Sequence, residues 1–407
     1  MNPIPQIISA AFDWVIYLAP FWVPLGLLLI AVKLWHKYIT RAHMLSLKWT
    51  LLEVRIPREV FKTPEAMEMV LANAFYQTGG VGTWYHKYWL GNLPATFALE
   101  IVSLGGSVHF YIRTQTKFRY IIESQIYAQY PQAEIIEAQD YTDEIPTHSV
   151  NTDWSMWGCE FGLTKDDAYP IKTYIDYGMD KATSLDEEQK IDPITPILEF
   201  FGGLKQGEQA WLQINIRPSQ WGRYPNPESR FKERKWGDVG KDLVKKLRAD
   251  YQKPLTEGGA PSRPTKGEQD VITAIERSLD KYGFDTGLRA IYIAQKDVFN
   301  PNHIAGLTSI VRQFNSANLN GFKVVHATSF DYPWQDIGGR NSRQAKKELF
   351  EAYRLRSYFY PPYMKKPFIL TTEELATIFH FPGRVSETPT FARMDAVKSE
   401  PPTNLPQ

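Results

Sequence analysis

Nineteen consecutive residues without a charge, Trp14–Val32 (WVIYLAPFWVPLGLLLIAV), limit what this chain can be. As a helix, that run spans about 28 Å, close to the ~30 Å hydrocarbon core of a bilayer. Trp14, Tyr17, Trp35 and Tyr38 stand near its ends, where interfacial side chains belong. Pro20 and Pro24 fall inside it, and membrane helices tolerate proline better than soluble ones. A cleaved signal peptide and a buried soluble helix are the competing readings. The signal peptide needs a basic start, yet the first Lys or Arg is Lys33, and Lys33-Leu34-Trp35-His36-Lys37 follows the run. The expectation is a single membrane anchor. Asp13 is the only charge before it, whereas Lys33, Lys37, Arg41, Lys48, Arg55 and Arg58 follow. The positive-inside rule then places the N-terminus outside and the main domain in the cytoplasm. Residues 1–48 thus read as tail, span and juxtamembrane basic segment.

Beyond the span, the length of 407 residues allows two or three domains. The net charge of +1 gives no global field for a polyanion, so any nucleic-acid contact must rest on a local patch. The lone Cys159 excludes an intrachain disulfide framework and a cysteine-rich metal site.

Residues 49–145 read as one α+β unit. Leu51–Ile56 alternates like a strand. Thr63 as N-cap, Pro64 and Glu65 open a helix carrying Met67, Val70, Leu71 and Ala74 on one face. Ala95–Leu104 and Ser107–Thr114 read as strands joined by the hairpin signal Gly105-Gly106. Phe118–Gln129 is an amphipathic helix stopped by Pro131, and Ala133–Ala138 is a last strand. The β-α-β-β-α-β order predicts a ferredoxin-like unit: a four-stranded antiparallel sheet with both helices on one face and the other face free.

Residues 150–330 suggest a second, similar unit, giving tandem ferredoxin-like domains. Its elements are strands at Tyr169–Tyr177, Gln209–Arg217 and Leu288–Gln295, and helices at Asp192–Phe201, Gly267–Tyr282 and Asn302–Asn315. An insertion, 218–264, carries a charged helix at Val239–Tyr251. Residues 331–369 form a basic, aromatic segment, and 370–407 a connector helix and Pro-rich tail.

No catalytic, cofactor-binding or metal-ligating residue is assigned. The eight histidines form no H-E-x-x-H. His109, in a strand, reads as an ordinary core or surface histidine. Gly79-Gly80-Val81-Gly82 runs into Thr83-Trp84-Tyr85-His86, with no evident helix and no Lys-Ser/Thr to hold phosphates. Two features are positive. In the insertion, Arg223, Arg230, Lys232, Arg234, Lys235, Lys241, Lys245, Lys246 and Arg248 stand among aromatics that include Trp221 and Trp236. Such a set can track a phosphate backbone and stack exposed bases, lie on an anionic leaflet, or be a solvated helix face. Lys346, Lys347, Arg354 and Arg356 form a smaller basic helix with the same alternatives. The second feature is the connector, where Thr371 and Glu374 have capping-box spacing. Leu375, Ile378, Phe379 and Phe381 then give an apolar face, either packed on its own domain or offered to a partner.

Three runs carry a resemblance: Leu51–Phe75, Phe97–Thr142 and Leu370–Pro406. They resemble the N-terminal, membrane-anchored region of bacterial HerA/FtsK-like type IV secretion and conjugation ATPases of the candidate-phyla type. The resemblance implies the bacterial inner membrane and assembly around a DNA-pumping P-loop ATPase. The chain contains no G-x-x-x-x-G-K-[ST]. The expectation is therefore a non-catalytic accessory subunit that docks a separately encoded ATPase. A homo-oligomer and single-stranded DNA are further expected partners.

Overall fold

A computed structural model of the chain describes Trp14 and residues 17–57, 62–76, 83–180, 191–219, 224–226, 229–251 and 264–382. They fall into two units: Met1–Lys48 with Val81–Pro94, and Trp49–Gly80 with Ala95–Gln407.

The smaller unit is built on α1 (Ala19–Ser46), a 28-residue helix that is long and apolar enough to cross a membrane. Pro20 fits its first turn, where a missing N–H costs nothing. A second helix, α3 (Trp84–Tyr88), lies in the same unit, with Trp89 5.9 Å from Trp35 and Tyr88 5.7 Å from His36 between ring centroids. Thr83–His86 was expected to be loop, so this short helix is a correction; Gly79–Gly82 lies outside the described residues.

The larger unit is α+β and contains a nine-stranded sheet whose ladders are all antiparallel. Its first half holds β1 (Trp49–Arg55), α2 (Pro64–Val70, running into a π-helical stretch, Leu71–Tyr76), β2 (Phe97–Leu104), β3 (Ser107–Gln115), α4 (Arg119–Gln129) and β4 (Glu134–Glu137). Gly105 and Gly106 make the β2–β3 turn at φ +61° and +91°, the left-handed pair a two-residue hairpin requires. The second half holds β5 (Trp154–Leu163), α5 (Thr195–Gly202), β6 (Glu208–Pro218), β9 (Gly283–Gln295), α8 (Asn302–Ser309) and β10 (Phe322–Ala327). Between β6 and β9 lie a hairpin, β7 (Tyr224–Asn226) and β8 (Ser229–Arg234), then α6 (Trp236–Tyr251) and α7 (Lys266–Leu279). The chain continues through α9 (Arg340–Arg354) and β11 (Phe368–Thr371) to α10 (Thr372–Ile378).

The strand order is β10-β5-β9-β6-β2-β3-β1-β4, with β11 also paired to β9. Outward from the central β2–β6 ladder, both halves follow one plan: second strand, third, first, fourth. The two halves share one sheet, joined by pairs such as Glu100↔Gln213 and Ile101↔Leu212.

Two expected elements differ. Tyr169–Tyr177 is not a strand. Pro170 has no N–H for a ladder. The backbone N–H groups of Ile171 and Thr173 go instead to the Glu374 and Asp176 carboxylates. The strand of that half is β5, which is buried along its middle and shows no clear alternation. The helix expected at Asp192–Phe201 starts later, after Ile194, and Asp192 accepts from the Ile194 N–H and bonds His380.

The main core lies on the sheet face that meets α2, α4, α5, α8 and α10. The other face was expected to be free. It is covered: Phe350 and Tyr353 of α9, with Tyr141, Ile145 and Val150, pack on Val102, Met156, Trp211, Ile291 and Ile293. Within residues 331–369, read as a basic, aromatic segment, α9 is amphipathic, with its apolar side turned to the sheet.

Candidate functional site

On the α9 side, the register aligns one polar residue from each of six neighbouring strands. Glu53 of β1 pairs with Tyr111 of β3, Tyr111 with Glu100 of β2, and Glu100 with Gln213 of β6. Gln213 pairs with Arg289 of β9, and Arg289 with Glu160 of β5. His326 of the edge strand β10 stands beside Glu160. The six inner members are 0–5% exposed, so each charge needs a partner to remain there.

Those partners come largely from the covering segments. Glu100 accepts four bonds: from Gln213 Nε2 (2.7 Å), Tyr141 OH (2.8 Å), and Arg356 Nε and Nη2 (2.9 and 3.1 Å). Arg356 also grips Asp140. Burial acts to lower the Arg356 pKa, but the Glu100 charge wins and holds it well above the usual arginine range. Burial likewise tends to raise the Asp140 carboxyl, and Arg356 overcomes this and holds it low. At Glu53 burial is again opposed, here by hydrogen bonds from His109 (2.7 Å) and Arg55 (2.9 Å), and the net shift is downward.

Arg289 is satisfied less well. Its Nη2 donates to Ser357 O at 3.0 Å and lies 3.3 Å from Glu160, while Nε and Nη1 have no hydrogen-bond partner. Burial pushes its pKa down. The Tyr358 ring covers it at 5.1 Å. That ring lies flat on Gly287, where any Cβ would sit 2.4 Å from it. Lys365 reaches the other oxygen of Glu160 at 3.3 Å.

The row ends in a cleft of about 650 Å³ whose lining includes Glu160, His326, Lys365, Lys366, Trp236 and Phe368. It joins an apolar wall to three carboxylates, Glu160, Asp166 and Asp167, and three lysines, Lys165, Lys365 and Lys366, a composition suited to binding a ligand with an apolar body and a polar head. Among the described residues no group of three or more His, Cys, Asp or Glu is placed to hold a metal.

The expected site residues are placed as follows. Trp221 and Arg223 lie outside the described residues, and Arg230 and Lys232 lie on β8. Arg234 and Lys245 both pair with Asp242, and Arg248 pairs with Glu276. Lys235, Lys241 and Lys246 are exposed, but Trp236 is buried and cannot stack on a base. Within the smaller basic helix, Arg354 pairs with Asp143, and Arg356 is the buried partner of Glu100 rather than a surface cation. Leu375, Ile378, Phe379 and Phe381 are 0–3% exposed. They pack inside their own domain, with Phe379 and Phe381 against Phe110 and Phe381 against Tyr130, so they present no docking face.

Sequence reasoning missed Glu100, Glu160 and Arg289. Each is a lone charge in an apolar strand (FALEIV, WGCEFG, LRAIYIA), and that was the available signal.

No curated protein matches the chain. A family model described as "Domain of unknown function (DUF8128)" matches residues 41–394, nearly all of both halves, α9 and α10. The chain belongs to the DUF8128 family.

Proposed function

We propose that this protein is a non-catalytic, membrane-anchored accessory subunit of a type IV secretion or conjugation-like DNA-transfer machine, working beside a P-loop ATPase. One observation carries the reading. Of the three runs that resemble such proteins, the third lies far along the chain from the first two, yet residues of all three meet in one structural block. Phe110 of the second run lies 5.6 and 5.4 Å from Phe379 and Phe381 of the third. Thr372 of the third run donates to Glu68 of the first at 3.2 Å.

The halves are read as tandem ferredoxin-like domains. Support comes from the strand plan shared by both, interrupted in the second by the insertion. The apolar α1 supports anchoring, and the charges that follow the apolar run support a cytoplasmic main domain. The deeply buried Leu375, Ile378, Phe379 and Phe381 move the docking surface elsewhere on the block.

Affinity purification of the full chain from detergent-solubilised native membranes tests the reading. A P-loop ATPase recovered in defined stoichiometry supports it. Recovery of the chain alone, or with partners that include no ATPase, contradicts it.

A further inference from the structure

The sheet-facing side of α9 is accounted for, but its opposite edge is not. Arg340, Arg343, Gln344 and Lys347 follow i, i+3, i+4, i+7 spacing and line one side of a cavity of about 360 Å³. His148, Val150, Asn151 and Thr152 line the other side. No carboxylate lines it. Among the described residues, the Arg340 and Lys347 side chains have no hydrogen-bond or ion-pair partner, whereas the Arg343 side chain donates to Gly338 O at 2.9 Å. Of the neighbouring carboxylates, Glu348 accepts from Gln344 Nε2 at 2.7 Å, and Asp336 is occupied by the Asn341 and Ser342 N–H groups at 2.9 and 3.2 Å. It also feels the Arg343 charge. Three cations, an imidazole and two amides around one hollow suit the oxygens of a phosphate group.

The loop that leads into α9 indicates what carries the phosphate. Tyr332, Trp334 and Ile337 are 52, 70 and 77% exposed, and the Tyr332 and Trp334 rings stack at 4.7 Å. The Asn341 side chain donates to Gln335 O at 2.6 Å and fastens the loop to the first turn of α9. Exposed Trp and Tyr beside arginine and lysine is the composition of a bilayer interface.

We propose that the α9 pocket binds the phosphate of an anionic phospholipid headgroup, with Trp334 and Ile337 seated in the interfacial layer. This makes a second membrane contact, which does not depend on an ATPase partner.

The lone Cys159 is fully buried and burial pushes its thiol up, so an introduced surface cysteine can be labelled selectively. The Ile337→Cys variant of the full chain, labelled with NBD, is compared in nanodiscs of phosphatidylcholine alone and of phosphatidylcholine mixed with phosphatidylglycerol. The expected result is a blue-shifted emission in the anionic discs that doxyl-lipids quench. Adding Arg340→Gln and Lys347→Gln should abolish the shift; both side chains are exposed and the substitutions leave the core intact. Emission typical of water in both discs overturns the proposal, as does a shift that survives the double substitution. A response to inorganic phosphate in detergent, without lipid dependence, overturns the lipid assignment.

Discussion

Arg356 decides the fate of the covered sheet face. It sits at φ +50°, an uncommon conformation for arginine, and holds Glu100 and Asp140 together. Removing it strands a fully buried carboxylate. Arg356→Met is therefore expected to cost about 3–5 kcal/mol in denaturant unfolding of the detergent-solubilised chain. Combining it with Glu100→Gln, which leaves no charge to strand, should recover most of that loss. Glu374 tests the opposite shift. Burial is the main cause that pushes its carboxyl up to about 7, although Thr371 and Ile171 N–H groups donate to it. The folded state then binds the Glu374 proton more tightly than the unfolded chain. Its contribution to stability is complete below the ordinary pKa and is lost as pH rises through about 7, by up to about 3 kcal/mol. Unfolding free energies measured from pH 5 to 8 should fall with pH, and Glu374→Gln should flatten the slope. An unchanged slope in the variant would place the titration elsewhere.

The elements were legible in proportion to how local their signals are. The first half could be read almost strand for strand. Its hairpin needs left-handed glycines, its first helix has Pro64 at N1, and its strands have clear ends. In the second half β5 was missed because its middle is buried on both faces, which erases the period-two pattern. β10 is a short edge strand with a bulge between Val324 and His326. The packing side of α9 was hidden among its charges, although Phe350 and Tyr353 stand three residues apart, on one face of the helix. The polar row was invisible for another reason. Its members lie on six strands between β1 and β9, and only the register brings them into line. Phe350→Ala should cost about 3–5 kcal/mol if α9 truly closes that face, measured by the same unfolding assay. α6 makes a contrasting prediction. With Lys241, Lys246 and the preceding Lys235 unpaired among the described residues and no stacking tryptophan, single-stranded DNA binding should be weak, with log K falling against log salt at a slope of about −2. A slope steeper than about −4 would point to a cationic surface larger than α6.

Taken as a whole molecule, the protein combines a helix fit for a bilayer with two α+β halves fused through one central ladder. The fusion matters for how a partner is met. The β2 and β6 edges pair with each other, so among the described residues the sheet's main path ends at β4 and β10, with β11 a short side strand paired to β9. The face opposite the main helices is closed by α9. On the proposed reading, contacts with a motor use the helical face, the sheet ends or the insertion, and not the connector helix, which is core. The most direct test of the accessory role is reconstitution. The full chain in nanodiscs is mixed with a P-loop ATPase recovered with it from native membranes, and complex formation and ATP turnover are followed together. The account predicts a stable complex on size exclusion and a changed ATPase rate that requires the chain. Separate elution with an unchanged rate would contradict it.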